Sequence, residues 1–104
     1  MTTVYIINKG CHDYSKATKF GKLKYLSYED MDRFSTGKMY RIFKKRLEES
    51  SPEDYLLISG MTIMSVVACS IFAAKHNRVN LLLYNFGPGK TADYVERVVM
   101  LEDL

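Results

Sequence analysis

The residues with the most chemistry to offer sit in two short clusters, each directly behind an apolar run. Asn8-Lys9-Gly10-Cys11-His12-Asp13 follows Val4–Ile7, and Ser59-Gly60-Met61-Thr62 follows Tyr55–Ile58. Cys11, His12 and Asp13 put a thiol, an imidazole and a carboxylate in succession, the ingredients of an activated nucleophile. Adjacent side chains diverge, however, and known triads are assembled from separate segments. Capping by Asp13 and a backbone-bonded His12 account for the same residues. Between those readings lies binding: Asn8, Lys9, His12 and the amides near Gly10 suit an anion or a ring edge. The second cluster offers exposed amides at the start of a helix, where anions are attracted, together with the hydroxyls of Ser59 and Thr62. Simple capping of that helix by either hydroxyl is the plainer alternative. His76, the other histidine, falls at the far end of the same helix and does not reach His12.

Other motifs fail on their own terms. Gly87-Pro88-Gly89-Lys90-Thr91 resembles a phosphate loop, but Tyr84 stands where the first glycine is required and a strand-like segment follows in place of a helix. A hairpin loop explains it better. Neither Gly10 nor Gly60 has the further glycines of a dinucleotide fingerprint. Two separated histidines, two distant cysteines and no paired carboxylates supply no metal shell, so no metal and no cofactor is expected.

The 104 residues, 47% hydrophobic and 26% charged, are expected to form one folded domain over residues 1–104. Cys11 and Cys69 read as free thiols of a reducing compartment. With no leader pattern before the first strand, the expected location is cytoplasmic. The net charge of +3 conceals a division: residues 1–46 hold eleven Lys/Arg against four Asp/Glu, whereas residues 47–104 hold four against eight. That asymmetry suits an acidic partner or head-to-tail self-association. Nucleic acid is disfavoured despite Tyr14, Phe20, Tyr25 and Tyr40 among lysines, because no recognised module is present. Tyr55–Ala74 has the length of a membrane span, but Ser59, Gly60, Thr62, Ser65 and Ser70 interrupt it, and no membrane is expected.

The elements that must position these clusters follow from periodicity. Thr3–Asn8 reads as a strand. A short helix follows, started by Asp13 or Ser15 and closed by a left-handed Gly21. Lys22–Leu26 alternates as an edge strand. Ser35–Glu49 is the clearest amphipathic helix: Met39, Tyr40, Phe43 and Leu47 share one face, Lys38, Arg41, Lys44, Lys45 and Arg46 the other, and Ile42 breaks the pattern. Tyr55–Ile58 is a central strand. Met61–Lys75 reads as a helix apolar on nearly every side, hence deeply packed, and Asn77 as its left-handed stop. Val79–Tyr84 is another central strand, and Tyr94–Leu101 an antiparallel one at an edge. The expected fold class is α/β: a small Rossmann-like sandwich, its sheet mostly parallel with four or five strands and an antiparallel C-terminal edge strand.

The segments Asn8–Ser15, Phe20-Gly21, Tyr25-Leu26-Ser27 and Asp54–Thr62 together resemble small uncharacterised accessory proteins of tailed bacteriophages. The resemblance implies a viral accessory protein working in a bacterial cytoplasm, where such proteins bind or sequester a host protein or a nucleotide signal. It carries no catalytic residues. The residues themselves point to a non-enzymatic binding protein. It holds a nucleotide-like or other anionic small ligand where strands one and three end. Asn8, Lys9, Gly10, His12, Ser59, Gly60 and Thr62 would contact the ligand, with Tyr14 or Tyr28 as a stacking wall. Two alternatives stand beside it. One is a protein-interaction or self-assembling module, a homo-oligomer through the edge strand or a partner of an acidic host protein through the basic helix face. The other is a small hydrolase or transferase using Cys11 or His12.

Overall fold

Four short parallel strands and one antiparallel strand build a single sheet whose order changes direction beneath the two clusters. The computed structural model describes residues 2–28, 31–86 and 92–101. The strands are β1 (Thr3–Ile6), β2 (Lys22–Tyr25), β3 (Tyr55–Leu57), β4 (Arg78–Asn85) and β5 (Asp93–Met100). They lie in the order β2-β1-β3-β4-β5, all parallel except β5, which pairs antiparallel with β4. The mixed α/β architecture with an antiparallel C-terminal edge is the one read from the sequence. The chain leaves β1 in one direction to make β2 and returns to the other side of β1 to make β3. That reversal is a topological switch point, where open α/β sheets form a crevice at the strands' carboxyl ends.

Helices α1 (Thr36–Arg46) and α2 (Thr62–His76) lie together on one face and a single 3-10 turn, Ser15–Phe20, on the other, the arrangement that right-handed crossovers to either side of β1 require. Tyr5, Ile7, Leu56 and Val79 point under the two helices, where Met39, Phe43 and Leu47 of α1 meet Met64, Ala68 and Phe72 of α2. Val4, Ile6, Leu57 and Leu82 point to the opposite face and pack with Tyr14, Ala17 and Tyr94. This alternation along β1 is what a strand covered on both sides requires.

Three local readings need correction. Tyr40, expected on the buried face of α1, is 47% exposed, while Ile42, expected to break the pattern, packs against the core. The contact face is rotated toward Ile42 because α1 has only the sheet and one side of α2 to cover it. Likewise α2 buries only its Met64, Ala68 and Phe72 stripe, and Val66 is 53% exposed, so the helix is not enclosed. Gly21 does close the 3-10 turn, but with φ 156° and ψ −172° it is extended and not left-handed. A Cβ there would lie 2.2 Å from the Thr2 carbonyl oxygen, so close backbone approach demands the glycine. Asn77 terminates α2 in the expected left-handed conformation (φ 58°), its amide donating to the Ala73 carbonyl at 2.8 Å. The Gly87–Thr91 segment, read as a hairpin loop, lies outside the described residues.

At the strands' amino ends, buried Asp54 accepts hydrogen bonds from the amides of Thr3 (2.9 Å) and Ser51 (2.8 Å), fastening β1 to the start of β3. Buried Asn80 donates from Nδ2 to the carbonyls of Pro52 and Asp54 and accepts Arg78 at Oδ1. Ser50 donates its hydroxyl proton to the Leu47 carbonyl (2.7 Å) and meets His76 Nε2 at 2.9 Å. When Ser50 donates to Leu47, Nε2–H donates to Ser50, the reverse of the polarity a nucleophilic serine needs. Burial, then the nearby Lys75 charge, push the His76 imidazole below its usual pKa against the opposing pull of Asp54 and Glu53. A histidine with a depressed folded pKa adds stability above its unfolded pKa of about 6.5 and loses it as pH falls from there toward the folded value. Urea midpoints should therefore drop between pH 7.5 and 5.5, and His76→Gln should flatten that slope; an unchanged slope would remove His76 as its source.

The outer rim of β5 is partly blocked. The Leu101 amide donates to the Asn77 carbonyl, so the odd residues of β5 face β4 and Tyr94, Glu96, Val98 and Met100 turn their backbone groups outward. The Asp93 carboxylate covers the Tyr94 amide at 2.7 Å, and the Arg97 guanidinium covers the Glu96 carbonyl at 2.7 Å. Among the described residues no helix is long and apolar enough to cross a membrane.

Candidate functional site

The two clusters meet at the switch point. Parallel pairing of β1 with β3 sets Ile6 beside Leu57, so the chain beyond each strand emerges side by side. Asn8 donates its amide to Ser59 Oγ at 3.0 Å, and Ser59 Oγ donates back to the Asn8 carbonyl at 2.9 Å. Tyr14 OH also donates to that carbonyl at 3.0 Å, and Ser27 Oγ reaches the Ile7 carbonyl (2.7 Å) and Asn8 Oδ1 (3.2 Å). The Lys9 amide, meanwhile, donates to the Ser27 carbonyl at 3.0 Å. Burial raises the Tyr14 hydroxyl above its usual pKa, keeping it the neutral donor this knot requires. Gly60 takes φ 78° directly over the knot; a Cβ there would lie 2.8 Å from Asn8 Cβ and 3.0 Å from Met64 Sδ.

Asn8, Tyr14 and Ser59 thus satisfy one another and form a frame. Lys9, Gly10, His12, Gly60 and Thr62 remain exposed around it. Neither Ser59 nor Thr62 caps α2: the capping residue is Met61, in extended conformation, and the helix begins without a side-chain cap. Neither Asp13 nor Ser15, the expected starts of the short helix, is its capping residue: that is Tyr14, without a side-chain cap, and Asp13 forms a turn just before it. Its carboxylate accepts the Ser15 amide at 2.9 Å, which holds its pKa below the usual carboxylate range. The His12 ring meets Tyr14 edge-on, with centroids 6.2 Å apart. Among the described residues no three His, Cys, Asp or Glu side chains gather as a metal shell.

Sequence reasoning missed the richest part of the rim, beyond the ends of β1 and β2. Tyr25 and Tyr28 lie with centroids 5.5 Å apart, and Tyr14 continues the row 6.3 Å from Tyr25. Lys9 Nζ stands 5.8 Å from the Tyr25 ring and the Arg46 guanidinium 5.5 Å from the Tyr28 ring. Arg46 is further directed by the Tyr25 carbonyl at 3.4 Å. Tyr28 was a candidate wall, but Tyr25 and Arg46 come from segments whose convergence no local spacing reveals. Their signal was the excess of positive charge in residues 1–46, interleaved with tyrosine.

No curated protein and no solved structure matches the chain. A family model does match, over residues 2–100, which takes in both clusters, the tyrosine row and every strand, and on that span the chain belongs to the Phage Pam3 gp32-like protein family.

Proposed function

We propose that this phage accessory protein is a non-enzymatic binding protein of the host cytoplasm that holds a nucleotide-like anion at the carboxyl ends of β1, β2 and β3. The observation that carries the reading is the Tyr25–Tyr28 ring pair bracketed by Lys9 and Arg46. Tyr28, 56% exposed, offers a face to a planar base. Lys9 and Arg46 offer positive charge to a phosphate, and His12, Gly10 and Thr62 line the approach from the switch point. Asn8, Ser59 and Tyr14 act as the rigid frame. A base stacked on tyrosine contributes about 1–3 kcal/mol, and each charge-assisted hydrogen bond from Lys9 or Arg46 to a phosphate about 1.5–3 kcal/mol. Such a site binds in the micromolar to millimolar range, between about −8 and −4 kcal/mol.

Thermal melts against a nucleotide panel test it. At a hundredfold excess over Kd, binding adds about 2.7 kcal/mol, which raises Tm by roughly 10 °C in a domain of this size. Lys9→Ala and Tyr28→Ala should each remove most of the shift while leaving the ligand-free Tm within a few degrees. A flat response across mono-, di-, tri- and cyclic nucleotides would refute the proposal.

A further inference from the structure

On the helix-covered face of the sheet, α1 and α2 leave a groove of about 700 Å³ between their outer faces. Its floor is hydrocarbon: Tyr40 from α1, and Val66, Val67, Ile71 and Ala74 from α2. This is the apolar outer side of α2 that its sequence marks for burial and that the fold leaves open. Its walls are cationic. Neither helix contains an Asp or Glu between its ends, whereas α1 carries Lys38, Arg41, Lys44 and Lys45 besides the Arg46 of the tyrosine rim. Lys44 and Lys75 line the groove, and the Arg41 guanidinium borders it, 3.6 Å from where a Cβ on Gly37 would stand. Lys75 Nζ is held on the Leu47 and Glu48 carbonyls, so its charge is fixed at one end. Glu48 is the one acid among the lining residues.

From this charge pattern around an apolar floor, we infer that the α1–α2 groove docks an acidic amphipathic helix of a partner protein. Two neighbouring helices offer a third helix the ridges and grooves that helix packing uses, and the small residues Gly37, Ser70 and Ala74 allow close approach. Apolar anchors at i, i+3 or i+4 and i+7 would enter the floor, while flanking carboxylates would face Arg41, Lys44 and Lys75. This surface is separate from the rim where the nucleotide-like anion is placed, and the two proposals fail independently.

The probe is a fluorescein-labelled synthetic 18-residue helix with leucine on one face and glutamate elsewhere. Its binding to the full chain is followed by anisotropy at 150 mM salt, beside a scrambled acidic peptide and a lysine-for-glutamate version. We expect the amphipathic acidic peptide to bind at least tenfold more tightly than either control. Val66→Asp, at a half-exposed position, and Lys44→Glu, at an exposed one that leaves folding intact, should each weaken it tenfold or more. Lys16→Glu on the other face of the sheet should change it less than twofold. Equal affinity for all three variants would reduce the effect to bulk charge attraction and overturn the inference, as would no binding at millimolar protein. Sedimentation showing a dimer that Val66→Asp dissolves would assign the groove to a second copy and overturn it as well.

Discussion

Phe72→Ala should lower the unfolding free energy by about 3–5 kcal/mol, the usual range for emptying a buried aromatic site. Phe72 is fully buried in the middle of the face on which α2 meets α1 and the sheet. Its ring also lies 4.5 Å from the His76 ring, so its loss loosens the last turn of α2. Since domains of this size have about 5–15 kcal/mol in total, the variant should be close to unfolding at 37 °C. Urea titration is the measurement: the midpoint should fall sharply while the slope m stays constant. A loss below 1 kcal/mol would mean that α2 does not seat on the sheet through this ring.

Gly60→Val should be nearly as damaging, by a different route. The left-handed backbone at φ 78° costs a β-branched residue about 1–2 kcal/mol, and the contacts with Asn8 Cβ and Met64 Sδ add about 1–3 kcal/mol of overpacking. Both neighbours are buried, so neither can swing aside into solvent. The expected loss of about 3 kcal/mol corresponds to a Tm lowered by roughly 15 °C. Because Asn8 is bonded to Ser59, Ser27 and Tyr14 through its amide, carbonyl and side chain, the substitution should also disturb the frame beneath the nucleotide rim. Amide spectra of Asn8, Lys9 and Ser27 should shift together in any folded fraction. A Gly60→Val protein melting within 3 °C of the parent would contradict this geometry.

The sheet was readable from the sequence because burial on both faces leaves unbroken apolar runs, as in Val4–Ile7 and Tyr55–Ile58, while a half-covered edge alternates, as in Lys22–Leu26. Asn77 was readable because a left-handed stop after fifteen helical residues has few substitutes. What sequence conceals is partnership across distance. Asn8 and Ser59 both look available for a ligand, yet they are 51 residues apart and satisfy each other. Tyr40 and Ile42 exchange expected roles because a helix at the end of a layer turns its apolar arc toward the neighbours it has. Tyr25 and Arg46 gather at the rim only because β2 ends where α1 can reach over it. In α2 the composition was read correctly as apolar all round, but composition does not say which neighbours exist to cover it.

The capped rim of β5 bears on how copies of this chain can pair. An eight-residue, valine-rich edge strand, its last five residues exposed, would ordinarily offer a template on which copies add without limit, as in fibrils. Here the Asp93 and Arg97 side chains already occupy one donor and one acceptor on that side, and only the Val98–Met100 stretch offers consecutive open positions. A seeding strand would have too few bonds to lay down before meeting a blocked one. Backbone pairing of copies through β5 is therefore confined to its Val98–Met100 end.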